Sequence, residues 1–575
     1  MSRFRPRYVI LILSVVLILT GTATASVIQG GLGSVAVTEV DFRAADGSNI
    51  HSTLQRPTYA TNSVPLPAVV VIHGIIQSKE WLMAFGIELA RRGFVVLTID
   101  ANGHGDSDPG TGAGTAALEF LTTLDYVNAS SIGIIGHSMG GGIAWTAIQN
   151  STVAVNALVI VGSPVIDTAN TTYPRNMLVA VGEFDSLVRY STNRTGLQES
   201  FGRTDIEAGT VYGDFRNGTA RELFIARTNH LFETVNPEIA SESVEWMKDT
   251  LKGGSEDAHW LQKTDLIYPC WLVGGFLSLL GALLSVFPLL AIVIDLPAFS
   301  GLKHESNTGN PASSKSYVIR GLVYGAIGLG TFFPLLAIGA LAEGVIHPLQ
   351  SFGLAVSTWI LGSALIAALV LWRFPRSGVS LKSLVSIDGG SEVPLRKLVR
   401  TLLLALSVTV WLYAWTLLVD LGFALDIRCF LPGFNDLTPA RALVAPLYFV
   451  VFFVYFLVDG FWLMGVLRTG AKQTWGRTQL DWTIRAMFIK CIPYLSIVIL
   501  EYGFGLITGM PIIVGYAGFS LLFFYAFTPY FATSAVVTVW GYHLTDHYYL
   551  GAAVNAMLFA WVLAAALPIP TMLTT

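Results

Sequence analysis

The sequence predicts two fold classes in one chain: a mainly parallel α/β domain over residues 30–255 and an all-α, polytopic membrane domain over residues 260–575. Three observations carry this. A composition that is 53% hydrophobic and 13% charged, with a mean hydropathy of +0.60, is too apolar for a wholly soluble chain of 575 residues. The apolar residues are also unevenly spread: residues 30–255 mix charge, turns and short apolar runs, whereas from Leu266 onward apolar stretches of roughly 20 residues dominate, the length a helix needs to cross a bilayer. Within the first region, runs apolar on both faces alternate with amphipathic stretches such as EWLMAFGIELARRG, the pattern of a parallel sheet covered on both sides.

Residues 1–29 come first. MSRFRPRYVILILSVVLILT sets Arg3, Arg5 and Arg7 before about a dozen apolar residues, and Ala23, Thr24 and Ala25 follow, as in a signal peptide or an uncleaved signal anchor. The anchor is the favoured reading. Either one keeps the N-terminus inside and sends residues 30–255 to the outer face. Five sequons, at Asn128, Asn150, Asn170, Asn193 and Asn217, fall inside that region and fit exposure outside the cytoplasm.

The α/β domain opens with SVAVTEVDF and NIHSTLQRP, which read as a hairpin. Six strands are then expected at AVVVIHG (68–74), FVVLTID (94–100), SIGIIGHS (131–138), ALVIVGS (157–163), NMLVAVGEFD (176–185) and ELFIARTNH (222–230). Each run ends in a polar residue or a glycine, and in open parallel sheets ligands collect at those carboxyl ends. Gly136, His137, Ser138, Met139 and Gly140 match GxSxG, a sharp strand-to-helix turn that pushes a serine hydroxyl up at a helix N-terminus. A serine nucleophile needs a base to take its proton and a carboxylate to orient the base. Asp185 and His230 follow Ser138 at strand ends in the chain order Ser, Asp, His, with Glu183 as the reserve acid. The other histidines have quieter expectations: His73 and His104 in turns, His137 packed inside the elbow, and His51 without any signal.

With VVVIHGIIQSKE, LTIDANGHGDSD, IGIIGHSMGGG, VAVGEFDSLV and RTNHLFE standing in that order, residues 35–250 resemble the α/β-hydrolase superfamily. The resemblance implies the α/β-hydrolase fold, a Ser138 nucleophile, a His230 base, an Asp185 orienter, and an oxyanion hole made by the backbone N–H groups of Ile75 and Met139. In one respect the sequence departs from many relatives. Only about a dozen residues separate Ser163 from Met177, too few for the helical cap that commonly follows the sixth strand. The site is expected to be open, or covered by the bilayer or by outer loops of the membrane half.

Beyond residue 260, about eight spans are expected, near 267–293, 319–343, 352–372, 401–424, 443–466, 487–508, 511–539 and 550–569. The loops on one side hold Lys303, Lys315, Arg320, Arg373, Arg376, Lys382, Arg396, Lys397, Arg400, Arg468, Lys472, Arg477 and Arg485; the other side holds only Arg428 and Arg441. That asymmetry obeys the positive-inside rule with residues 30–255 outside. Glu343, Asp420, Asp459, Lys490 and Glu501 lie within or at the edges of spans, where a structural role is expected ahead of a relay. His543 and His547 fall in GYHLTDHYYLG, read as an interfacial loop rather than a metal site.

Several functions are excluded. The net charge of −4, without a basic cluster, gives no nucleic-acid partner. Cys270, Cys429 and Cys491 form neither a disulfide framework nor a CxxC metal site, and no pattern requires a cofactor. The leading expectation is a membrane-anchored serine hydrolase whose partners are the bilayer and an acyl-containing small molecule, lipid or peptide. Acyl transfer to a membrane-derived acceptor shares its first half-reaction. A non-catalytic transporter or sensor is the third reading, and it has no need of all three of Ser138, Asp185 and His230.

Overall fold

The computed structural model describes residues 6–190, 194–303, 314–374, 395–427, 433–468 and 477–571. Arg3, Arg5, Asn193, Arg376, Lys382, Arg428, Cys429 and Lys472 lie outside the described residues.

Alternation of side chains builds the α/β domain. Along β3 (Leu66–Ile72), Ala68, Val70 and Ile72 face one core while Val69 and Val71 face another. Helices α3 (Ala113–Thr122) and α4 (Met139–Asn150) cover the first core. On the second lie α2 (Met83–Ala90) and α6 (Pro237–Leu251). Burial on both faces explains why β3, β4 (Val95–Ile99), β5 (Val127–His137), β6 (Val155–Val161) and β7 (Met177–Gly182) read as continuous apolar runs. The sheet has the order β1-β2-β4-β3-β5-β6-β7-β9-β8. It begins with the expected hairpin of β1 (Val35–Arg43) and β2 (Asn49–Pro57), is parallel from β4 to β9 (Arg221–Ala226), and ends on antiparallel β8 (Val211–Tyr212). Two residues are too short to leave a period-two signal, so β8 had no sequence counterpart. This is the α/β-hydrolase fold.

Chain ends of these helices are chemically marked. Asn236 accepts the Glu238 and Ile239 amides at 3.0 Å each, and Pro237 follows as the first residue of α6. A short helix α5 (Thr195–Phe201) lies between β7 and β8.

The second half is helical: α7 (Tyr268–Val293), α8 (Ser314–Ile346), α9 (Gly353–Arg373), α10 (Leu395–Phe423), α11 (Pro439–Gly460, continued by a wider turn over Phe461–Val466), α12 (Arg477–Thr508), α13 (Gly515–Thr545) and α14 (Tyr549–Ala566). With α1 (Pro6–Gln29), nine helices among the described residues are long and apolar enough to cross a membrane. Five of them, α8, α10, α11, α12 and α13, outrun their expected spans by several residues at one end or both, because a hydropathy window registers the apolar middle and not polar end turns. One consequence corrects the loop reading at the end of α13. His543 sits in its last turn, where Nδ1 meets Gln479 Nε2 at 2.8 Å, and only His547 lies in the connecting turn.

Most of the acidic and basic groups within these helices have structural partners. Glu343 accepts the Phe352 and Ala355 amides at 2.9 and 3.0 Å, and Glu501 accepts the Ile513 amide at 3.1 Å. Asp459 and Lys490 pair at 2.7 Å, both 1% exposed, and the Tyr324 hydroxyl donates to the same carboxylate. Arg441, placed by the sequence in an outer loop, is instead buried in the first turns of α11. Its guanidinium donates to the carbonyls of Ala564 and Leu567 at the end of α14, and to Gly103 and Gly105 of the α/β domain.

Helix α1 packs along α7 through small residues. A Cβ on Gly21 would lie 2.4 Å from the Ser278 amide nitrogen and 2.6 Å from the Gly274 carbonyl, so the backbones themselves touch. Gly21→Leu is expected to destabilise the detergent-solubilised protein by roughly 3 kcal/mol through overpacking and to lower Tm by several degrees. Gly330→Ala on α8, where nothing lies within 4 Å, does not lower Tm and is expected to raise it slightly, since alanine is the better helix former. Differential scanning fluorimetry measures both.

Candidate active site

The turn after β5 is strained by construction. Ser138 holds φ 53° and ψ −118° and donates its amide to the Val161 carbonyl at 2.8 Å. The turn fits only because its flanks lack side chains. A Cβ on Gly136 would lie 2.2 Å from the Gly140 carbonyl oxygen, and one on Gly140 would lie 2.3 Å from that of Ile72. Met139 is the first residue of α4, so its amide is one of the four that a helix leaves without an internal partner.

The structure brings the three sequence-selected side chains together. Ser138 Oγ lies 3.0 Å from His230 Nε2, and His230 Nδ1 lies 2.9 Å from Asp185 Oδ2. The other oxygen of Asp185 accepts the Leu187 and Val188 amides at 2.6 and 3.0 Å, which fixes the carboxylate. Glu183, the reserve acid, points elsewhere and pairs with Arg227 at 3.5 Å.

Ile75 lies in the loop after β3, on the wall of the pocket that holds Ser138 and His230. That loop is tied down from several sides. Gln77 Oε1 accepts the Gly74 amide at 2.8 Å, His73 Nε2 accepts the Ala101 amide at 3.0 Å, and Asp100 accepts the Lys79 amide at 2.7 Å. Ile76 takes φ 59°, a left-handed conformation rare for a β-branched residue. His104, in the following turn, is buried and held down to about 3 by desolvation and by the neighbouring His73.

One participant escaped the sequence reading. Glu233 is fully buried, with Oε1 accepting the Gly182 amide at 2.5 Å and Oε2 3.4 Å from His137 Nε2 and 3.6 Å from His230 Nδ1. Burial, reinforced by the Asp185 charge, holds its carboxyl well above the usual carboxylate range. Its position three residues after His230, in the block RTNHLFE, was the available signal. His137 Nε2 meets the His230 carbonyl at 3.1 Å, and burial keeps the imidazole far below its ordinary value. His137, His230 and Glu233 gather metal-type donor atoms, yet Asp185 and the Gly182 amide already engage two of the three residues.

The helical half also reaches the site; it is one of the covers the sequence left open, although the sequence did not mark the residues that supply it. Leu522, Phe523 and Ala526 of α13 complete a narrow pocket of about 50 Å³ whose other walls include Ile75, Ile76, Trp81, Ser138 and His230. On the opposite side Ser138 borders a cleft of about 540 Å³, bounded by Met139, Ser163, Ser186, Arg189 and, again from the helical half, Val514 and Gly515. The Asn229 side chain hydrogen-bonds the Tyr502 hydroxyl across the joint. The missing cap therefore has a replacement that no local sequence signal marks.

A family model described as alpha/beta hydrolase fold matches residues 67–189. The chain is similar to a bis(hydroxyethyl) terephthalate hydrolase of Streptomyces coelicolor, 37% identical over 19% of this chain and 36% of that protein. It is also similar to Lipase 1 of a Moraxella species, 31% identical over 24% of this chain and 44% of that one. A third relative is the sn-1-specific diacylglycerol lipase ABHD11 of Danio rerio, 34% identical over 20% of this chain and 36% of that one. The chain thus spans less than half the length of each.

Beside the site, His51 has a role that its sequence context did not suggest. Burial opposes its charge, but Glu39 and Asp41, with Asp41 Oδ1 2.8 Å from Nδ1, outweigh burial and push it up to about 9. A folded-state value above the unfolded one means that this contribution is complete below pH 6.5 and is lost as pH rises through 9. Wild type is expected to lose roughly 1–3 kcal/mol of stability over that window. His51→Gln should flatten the profile and lower stability at pH 6.5, read by denaturant melts.

Proposed function

We propose that this α/β-hydrolase-fold chain is a membrane-anchored serine hydrolase that cleaves an ester, thioester or amide through an acyl-enzyme. The observation that carries the reading is the continuous chain from Ser138 Oγ through His230 to Asp185, at 3.0 and 2.9 Å. Ser138 Oγ attacks the acyl carbon as His230 Nε2 takes its proton. The tetrahedral oxyanion faces the amides of Ile75 and Met139, a pair of donors worth about 3 kcal/mol each to such a transition state. Collapse breaks the bond to the leaving group, which departs with the proton from His230. Water then attacks the acyl carbon with His230 as base, the acid leaves, and Ser138 recovers its proton. Asp185 keeps Nδ1 protonated throughout. The relatives named as lipases support an ester or lipid substrate.

The nine apolar helices support an integral membrane protein, and the loop charges support an outward-facing hydrolase domain at the cell membrane. Close packing of α1 on α7 supports retention of α1 as an anchor. The large cleft beside Ser138 also suits acyl transfer, in which a bulkier acceptor replaces water.

A fluorophosphonate probe applied to membranes is expected to label the wild type and not Ser138→Ala; absence of wild-type labelling in folded protein overturns the reading. His230→Ala and Asp185→Asn should lower kcat by about 10²–10⁴ with little loss of stability, whereas Glu183→Gln keeps its rate. If Asp185→Asn is active and Glu183→Gln dead, the acid is misassigned. For topology, Asn217→Cys, at an exposed position, should react with an impermeant maleimide on intact cells, and protection there inverts the orientation.

A further inference from the structure

The hydrolase domain does not build the whole of its own pocket. One side of Ser138 faces the narrow apolar pocket whose far wall is Leu522, Phe523 and Ala526 of α13. The other side faces the wide cleft where Ser186 and Arg189 stand. The nucleophile therefore stands between a narrow space of about 50 Å³ walled by apolar side chains and a wide one of about 540 Å³ whose lining is also mostly apolar but adds Ser163, Ser186 and Arg189. An amphiphilic ester divides into an acyl chain, which suits the narrow space, and an alcohol, which needs the room and the polar groups of the wide one.

The hairpin that supplies the wall also shows from where an acyl chain arrives. At its tip Phe504, Leu506, Ile507, Met510, Ile512 and Val514 are exposed, so no protein covers them. A contiguous apolar tip of this kind suits lipid and not water. It is continuous with the site: Gly505 and Pro511 line a gap that reaches His230 and Leu231, and Val514 lines the cleft beside Ser138. The packing is reciprocal as well, since Ile76 of the hydrolase loop joins the core of the helical half while Leu522 and Tyr525 pack against the core of the sheet domain.

We infer that the substrate is a membrane lipid ester whose acyl chain reaches Ser138 along the α12–α13 tip, that α13 forms the acyl-binding wall, and that Phe523 and Ala526 set the acyl group accepted. The inference rests on Ser138 being the nucleophile. In the acylation step the Ser138 Oγ–acyl bond forms and the acyl–alkoxy bond breaks, with the alcohol leaving into the cleft carrying the serine proton by way of His230. The acyl chain stays against α13 as a serine ester. Water from the cleft then donates its hydroxyl to the acyl carbon and its remaining proton to Ser138, releasing the fatty acid toward the lipid.

The test uses the full chain in phosphatidylcholine nanodiscs with p-nitrophenyl acetate and p-nitrophenyl dodecanoate, reading the ratio of their kcat/KM values. Ala526→Trp fills the wall and should lower the dodecanoate-to-acetate ratio at least tenfold, whereas Phe523→Ala widens it and should raise the ratio. Leu421→Trp, on a face of α10 that is 83% exposed, is the control and should leave the ratio at the wild-type value. Ratios within twofold of wild type in both wall variants, with Ser138 still labelled by fluorophosphonate, overturn the acyl wall and leave the hydrolase reading intact. Failure of the probe to label wild type overturns the nucleophile and the wall together. Should Ala526→Trp lose labelling through misfolding, the direction of the change in Phe523→Ala decides: a raised ratio supports the wall and an unchanged one overturns it.

Discussion

Where β5 passes into α4, the chain turns through a left-handed serine, a backbone state that costs of order 1–3 kcal/mol and persists only when its surroundings over-determine it. Here they do. The Ser138 amide is held by the Val161 carbonyl, and the backbones of residues 136, 140 and 72 approach so closely that no Cβ fits at either glycine. The hydroxyl consequently projects above the sheet at a fixed height. Asp185 and His230 sit on loops that leave neighbouring strands of that sheet, so their spacing from Ser138 follows from strand order and needs no special local sequence. The strain is offset by the two apolar cores on either face of the strands.

A second constraint is the joint between the halves. Glu88 of α2 is fully buried and caps α7 by accepting the Ile267 and Tyr268 amides at 2.7 and 2.9 Å, while its other oxygen pairs with Arg92 at 2.7 Å. At the far side Arg441 bridges carbonyls of both halves, and the Ile569 amide reaches the Gly103 carbonyl at 2.8 Å. Buried cations of this kind hold when their donors find oxygens, and each of the three guanidinium nitrogens of Arg441 reaches at least one of four carbonyls. Two such anchors set the sheet domain on the bundle in one orientation. That orientation brings the carboxyl edge of the sheet against α13.

Electrostatics inside the site follow from the same enclosure. Glu233 is sealed beside Asp185, and two carboxylates at close range in a desolvated space cannot both carry charge at ordinary cost. Glu233 is the one pushed toward its neutral form, which leaves Asp185 beside His230 Nδ1. On the outer edge the balance runs the other way, since Glu39 and Asp41 favour a charged His51. Proximity to carboxylates has opposite consequences in the two places because the partner is an acid in one and a base in the other.

Strands, hairpin and elbow were legible in the sequence because each depends on neighbours in the chain. Double-faced apolar runs of five to seven residues, rich in Val and Ile and bounded by turn residues, read as buried strands, and Gly136 and Gly140 around Ser138 leave few alternatives to a sharp turn. The nine apolar helices were legible for a similar reason, since bilayer thickness fixes their length. Glu233, Arg441 and the α13 wall were hidden because their roles arise from contacts across the fold. Glu233 looked like any polar residue in a loop, and Arg441 like a loop cation, until burial gave each a partner. Leu522, Phe523 and Ala526 are indistinguishable in sequence from any other apolar stretch of a long helix. Local sterics and hydrophobic periodicity thus determined the elements and the order of the reactive side chains, whereas only packing of one half on the other decided what stands opposite the serine, since contacts between distant segments leave no periodic trace in either.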